Sequence, residues 1–186
     1  MRRIAWIGFS VFAVAITLMA SASGQSNSES TASHGVDLPT GYRDWPLISI
    51  ATVGAPVSDM RAKLGNEVAM KAYRSGTLPF PDGSIIARLA WKQTMSEENN
   101  RAIGPLAEKQ LGPEGAQKLL SQSFVAGPAI NAQFMVKDSK RYAATGGWGF
   151  AQFDDGKPAE ETALTTCFAC HGPAKDRDFV FTRYSR

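Results

Sequence analysis

Cysteine and histidine are the scarce residues of this chain, with two of each among 186. Two cysteines cannot build the disulfide framework of a small secreted domain. A structural zinc site needs about four ligands, and beyond the C-F-A-C-H stretch at Cys167, Cys170 and His171 the chain offers only His34. No basic run interleaved with aromatics is present and the net charge is low, which leaves a nucleic-acid partner without support. The glycines Gly146, Gly147 and Gly149 are not followed by a GK pattern or a helix start, so they form no phosphate loop. No internal repeat is present, and neither methionine nor histidine follows His171.

The first residues have the order of an export signal. Arg2 and Arg3 precede an uncharged apolar run from Ile4 to Ala20, and small residues follow around Ala20-Ser21-Ala22. Cleavage after Ala22 is expected, placing the mature protein in the periplasm; the alternative is a retained anchor near the lower length limit for a membrane span. Cleavage would lower the formal charge from +3 to +1 and leave 164 residues, enough for one core. Residues 23–37 are polar and rich in Ser, Thr and Gly and read as a flexible lead-in containing a solvated His34. Residues 38–186 then form a single domain.

Within that domain, Tyr42 to Trp45 predict a short helical turn. Asn66 predicts the N-cap of a helix over NEVAMKAYRS, ended by Gly76. The Pro81-Asp82-Gly83 turn feeds a strand, SIIARLAW, and Pro113 predicts the start of a short helix. SFVAGPAINAQFMV and GGWGFAQF predict two strands joined through KDSKRYAAT, and DFVFTRY a closing strand. Pro158 is expected at the first position of a helix whose opening turn carries Glu160 and Glu161, placing Leu164, Cys167, Phe168 and His171 on one face. The fold class is therefore α+β with a predominantly antiparallel sheet.

The C-F-A-C-H stretch places two thiols one helical turn apart with an imidazole directly behind. That geometry suits covalent attachment of one porphyrin, with the imidazole reaching the iron, and C-x-x-C-H is read as c-type haem attachment. A thioredoxin-like pair would want the motif at a helix N-terminus, whereas here a helix C-terminus is expected. Any second iron ligand would have to come from Met60, Met70, Met95 or Met135. Met70 and Met135 read as core filler, so the expected iron is five-coordinate, with His171 proximal and its opposite side open.

Five segments together carry a resemblance: LPTGYRDW, DMRAKLGN, PFPDGSIIAR, QFMVKDSKRYAATGGWGF and CFACHGPAKDRDFVFTRY. In this order they resemble the cytochrome P-460 family, which includes the cytochromes c-prime-beta, over about Leu38 to Tyr184. The resemblance implies a mostly antiparallel β fold, usually a homodimer, holding one five-coordinate haem c bound through Cys167 and Cys170 in a partly apolar pocket. One branch of the family oxidises hydroxylamine, and the other binds nitric oxide and carbon monoxide.

Two positions depart from the oxidising branch. Its porphyrin-linked lysine, five residues after the glycine of the PDG turn, is Arg88 here, and an always protonated guanidinium is a poor nucleophile. Lys92 shares a strand face with Arg88 but lies about 13 Å away. Its distal glutamate, three residues before the Val of VKDSKR, is Gln133, which accepts no proton at neutral pH. Arg61 matches a distal arginine of the family, so Arg61 and Arg88 are expected to face a bound small diatomic or nitrogen-oxide ligand and to stabilise negative charge on it. Tyr142, Trp148, Phe150 and Phe153 read as core and pocket wall. Three functions follow: a periplasmic haem c protein binding a small ligand, an oxidoreductase acting on hydroxylamine or peroxide, and an electron carrier whose redox partner the sequence does not identify.

Overall fold

The computed structural model describes residues 32–33, 35–160 and 166–185. Six antiparallel strands form a meander in the order of the chain: β3 (Leu47–Val53), β4 (Asp59–Gly65), β5 (Ile85–Thr94), β6 (Val125–Lys137), β7 (Trp148–Asp154) and β8 (Lys157–Pro158). Two short strands, β1 (Ala32–Ser33) and β2 (Val36–Asp37), pair separately. Among the described residues the α-helices are α1 (Glu67–Ser75), α2 (Glu97–Ser121) and α3 (Cys167–His171). The α+β class with an antiparallel sheet holds.

Strand alternation gives the sheet two unlike faces. On one face Leu64, Ala87, Leu89, Ala132, Phe134, Ala151 and Phe153 form a core that the segment carrying Val36, Leu38, Tyr42 and Trp45 covers. Tyr42 meets Phe134 edge-on at 5.1 Å, the arrangement ring quadrupoles favour. The other face is divided along the strands. Its register row Gly65, Ile86, Met135 and Phe150 belongs to an apolar half packed by α1 and the C-terminal segment, while the neighbouring row Lys63, Arg88, Gln133 and Gln152 is polar throughout.

The local signals for α1 act as expected. The Asn66 side chain accepts from the Ala69 N–H and closes the helix start, and Gly76 adopts φ +68 at its end. The same Asn66 oxygen accepts from the Ile85 N–H, and its amide donates to the Gly83 carbonyl, so one cap also joins α1 to β5. Gly83 takes φ +85 in the turn closed by the Ser84 N–H on the Pro81 carbonyl, the position that requires φ > 0 in a type II turn. Met70 and Trp148 are fully buried where α1 meets the sheet, each worth about 1.5–3 kcal/mol of burial.

Four expectations need correction or extension. Strands β3 and β4 were not anticipated, although ISIATV and DMRAKLG both alternate. The helix expected from Pro113 is only the second limb of α2; Gly112, at φ 71 and ψ 171, separates it from a first limb capped by Ser96. Pro158 does not begin a helix. It lies in β8 opposite Phe153, because Asp155 and Gly156 both take positive φ and form the tight reversal that Asp-Gly favours between strands. Residues 161–165, with Glu161 and Leu164, lie outside the described residues, as do residues 1–31 and His34.

DFVFTRY, lastly, forms no strand. Asp178 and Phe179 take φ 53 and 62, which no ladder tolerates, and side-chain bonds hold the segment instead. The Asp178 carboxylate accepts from the Lys137 ammonium at 2.6 Å and from the Phe80 N–H at 2.8 Å, while Trp148 donates its indole N–H to the Asp178 carbonyl at 2.8 Å.

Two predictions follow from these ties. The Lys137 and Asp178 side chains are 6% and 8% exposed, so Lys137→Met strands a buried carboxylate and should cost about 3–5 kcal/mol in urea unfolding; a loss below 1 kcal/mol would refute the pair's role. At the fully exposed Asp82, the Ser139 hydroxyl and N–H donate to the carboxylate and hold its pKa below the usual range. Because the folded value is depressed, that stabilisation is present above about pH 4 and disappears as pH falls through the folded value. The stability advantage of the native chain over Asp82→Asn should therefore vanish in acid; an advantage independent of pH would contradict it.

Candidate functional site

Cys167, Cys170 and His171 come together as expected on the five-residue α3, and a 3-10 stretch over Gly172–Arg177 continues from it. Cys167 is half-buried, Cys170 exposed, and neither forms a disulfide. Cys167 opens the helix rather than standing near its end, so the dipole argument against a redox pair does not apply. Burial nevertheless pushes the Cys167 thiol up, with the neighbouring Cys170 adding to it, away from the thiolate a redox pair needs.

The imidazole of His171 is held by one backbone group. Its Nδ1 lies 2.7 Å from the Phe179 carbonyl and donates to it, which fixes the tautomer and leaves the Nε2 lone pair free. Phe150 and Phe181 flank the ring at 5.1 and 5.3 Å between centroids, and Phe168 stands 6.4 Å from Phe150. Phe179 is positioned in turn by its N–H on the Ala174 carbonyl and by the Asp178 ties. The chain therefore runs from Lys137 through Asp178 and Phe179 to the imidazole.

The second group of expected residues also comes together, in the polar half of the sheet. Arg61 donates through Nε to both Asp59 carboxylate oxygens at 2.9 Å, and its NH2 lies 2.9 Å from one of them. Arg88 donates to Asp59 at 3.2 Å, to the Gln133 side-chain carbonyl at 2.8 Å and to that of Asn131 at 3.1 Å. Gln133 then donates its amide N–H to Gln152 at 2.7 Å. Asp59 is 2% exposed and accepts from both guanidinium groups. Lys63 stands directly opposite Arg88. Burial pushes its pKa down, and Arg61 and Arg88 push it further. Burial, then Arg61, likewise lowers that of Arg88.

One strand connects the two groups. Gln152 of the polar network and Phe150 against the His171 ring are two residues apart on β7, about 7 Å along the same face. Lys92 shares that face opposite Asp59, as expected, but is exposed. Of the methionines, Met70 and Met135 are core residues, Met95 is exposed, and Met60 alternates to the other face from Arg61. Asp59, Lys63, Asn131 and Gln152 escaped the sequence reading. The alternation of charge in Asp59-Met60-Arg61-Ala62-Lys63 was the signal that puts Asp59 and Lys63 on one face with Arg61.

Among the described residues no group of three His, Cys, Asp or Glu side chains could hold a bare metal ion. A single free imidazole nitrogen, two unpaired thiols one turn apart and an aromatic surround instead fit an iron carried by a porphyrin, which Cys167, Cys170 and His171 would hold. The match to known families agrees: residues 39–182 match the model described as Cytochrome P460. The chain belongs to the cytochrome P460 family. Membership makes it a haem-binding cytochrome. No curated protein matches it.

Gly146 is the tightest glycine beside the segment that holds His171 in this cytochrome. It takes φ +66, a Cβ there would overlap the Phe179 ring, and its carbonyl accepts from Lys137. Gly146→Ala should therefore cost about 1–3 kcal/mol and speed exchange of the His171 Nδ1 proton by displacing the Phe179 carbonyl. Unchanged proton protection by NMR would show that Gly146 does not support the imidazole.

Proposed function

We propose that this protein is a periplasmic mono-haem c-type cytochrome, with the haem bound covalently through Cys167 and Cys170, that takes up a small ligand such as nitric oxide. The haem, held by Cys167, Cys170 and His171, would supply an iron able to bind such a ligand. The observation that carries this reading is the His171 imidazole, tied at Nδ1 to the Phe179 carbonyl and free at Nε2. A backbone acceptor on Nδ1–H orients the ring and makes Nε2 a better donor. Phe150 and Phe181 flank the ring and give it a partly apolar surround, with Phe168 behind Phe150.

Ligand uptake is favoured over oxidation by what the polar half lacks. Gln133 spends its carbonyl on Arg88 and its amide on Gln152, and an amide takes no proton from a substrate. Arg88 is engaged with Asp59, Asn131 and Gln133 and remains a cation rather than a nucleophile. Arg88, whose guanidinium has N–H groups beyond those bonds, is suited to donate to a bound ligand's partial negative charge, with Gln133 holding it in place. An electron carrier is disfavoured by the burial of Met70 and Met135 in the core. The homodimer belongs to the same proposal, supported by the exposed Ile103, Leu106, Leu111 and Leu119 of α2.

Expression in a host that matures c-type cytochromes tests the proposal. Mass spectrometry should find the haem mass on the peptide containing Cys167 and Cys170, and His171→Ala should abolish the native spectrum. Ferrous protein should shift its absorption with carbon monoxide and nitric oxide. A ferrous form indifferent to both gases would rule the reading out.

A further inference from the structure

The polar half of the sheet is out of charge balance. Arg61 and Lys63 on β4 and Arg88 on β5 lie on one face, and among the described residues Asp59 is the only carboxylate paired with any of them. Opposite β4 on the other side stand Ser49, Ala51 and Val53, which carry no charge. Asn131 and Gln133 on β6 are neutral. Asp154 lies on the far side of Gln152, which donates to it, and Lys92 adds a further cation opposite Asp59. Three half-buried cations therefore share one carboxylate.

The arrangement is costly as it stands. Lys63 and Arg88 are direct cross-strand partners, and like charges directly opposite one another destabilise an antiparallel pair. Asp59 cannot relieve both, since its oxygens already accept from Arg61 and Arg88. Among the described residues the Lys63 ammonium has no carboxylate partner within ion-pair distance, and both guanidinium groups lower its pKa. The NH1 group of Arg61 is likewise not engaged by Asp59. Lysine and arginine donors left over on one face, with their charge uncompensated, match a planar anion with two acceptor oxygens.

We propose that Lys63, Arg61 and Arg88 form an oxyanion site on the polar face of the sheet, accepting a carboxylate or a nitrite-like anion. Lys63 is the deciding residue, because it alone of the three has no Asp59 contact. Two sources share this chemistry: a propionate of the haem or a free inorganic anion. The first source rests on the haem reading above. The second does not.

The test uses holoprotein reduced under carbon monoxide, which occupies the iron, in native, Lys63→Met and Lys63→Arg forms. Labelled nitrite is titrated against chloride at constant ionic strength, and its nitrogen NMR line width is followed. A free-anion site gives saturable broadening that weakens about tenfold in Lys63→Met, the loss of one charge-assisted hydrogen bond, and returns in Lys63→Arg. A propionate site gives no broadening, but Lys63→Met then shifts the haem reduction potential and its pH dependence while Lys63→Arg preserves both. Normal carbon monoxide spectra with neither broadening nor a potential change overturn the site. If no carbon monoxide complex forms, the haem reading falls, and the nitrite titration alone decides.

Discussion

The ion pair between Lys137 and Asp178 is the contact on which the rest of the site depends. It joins the end of β6 to a C-terminal segment that has no strand or long helix to hold it. Both side chains are withdrawn from water, so their attraction is little screened, and the Phe80 N–H supplies a further partner for the carboxylate. Lys137 also lies over the Trp148 ring at 5.0 Å and donates to the Gly146 carbonyl. With these groups satisfied, Asp178 and Phe179 are held in the left-handed region, and the Phe179 carbonyl points at the His171 ring. The His171 imidazole is thus set by a tie that begins more than thirty residues earlier in the chain.

The sheet supplies the second constraint. Its one face carries the aromatic core under the N-terminal segment, but its other face changes character between adjacent register rows. The row containing Phe150 packs against His171, and the row containing Gln152, Gln133 and Arg88 continues away from it as a hydrogen-bonded ladder of side chains. A buried Asp59 at the end of this ladder makes it rigid, since displacing either guanidinium would leave a carboxylate partly unpaired away from water. The same geometry explains why Gln133 is a poor base, with both ends of its amide engaged.

Short-range signals were legible in the residues. The Asn66 cap, the Gly76 terminator, the Pro-Asp-Gly turn and the helical turn at Tyr42 are formed as read, and SIIARLAW, SFVAGPAINAQFMV and GGWGFAQF lie in the strands Ile85–Thr94, Val125–Lys137 and Trp148–Asp154 with their ends displaced by up to three residues. Misreadings arose where two local signals competed. Pro158 suits a helix start, but the adjacent Asp155-Gly156 pair suits a hairpin, and pairing with Phe153 decides for the hairpin. DFVFTRY has the composition of a strand, yet its first two residues are committed to the turn that the Lys137 tie imposes.

Alone, the sequence determined the chemistry available: two thiols and an imidazole within five consecutive residues, and at positions 88 and 133 an arginine and a glutamine, neither of them a ready nucleophile or base. Those are matters of side-chain type and spacing, which the chain carries at any degree of folding. Only the tertiary structure decided which nitrogen of His171 is free, because that depends on a carbonyl eight residues away whose direction is set by Lys137. It also decided that Asp59 lies between Arg61 and Arg88 and that Lys63 opposes Arg88, because cross-strand register is a property of the assembled sheet and not of any single strand.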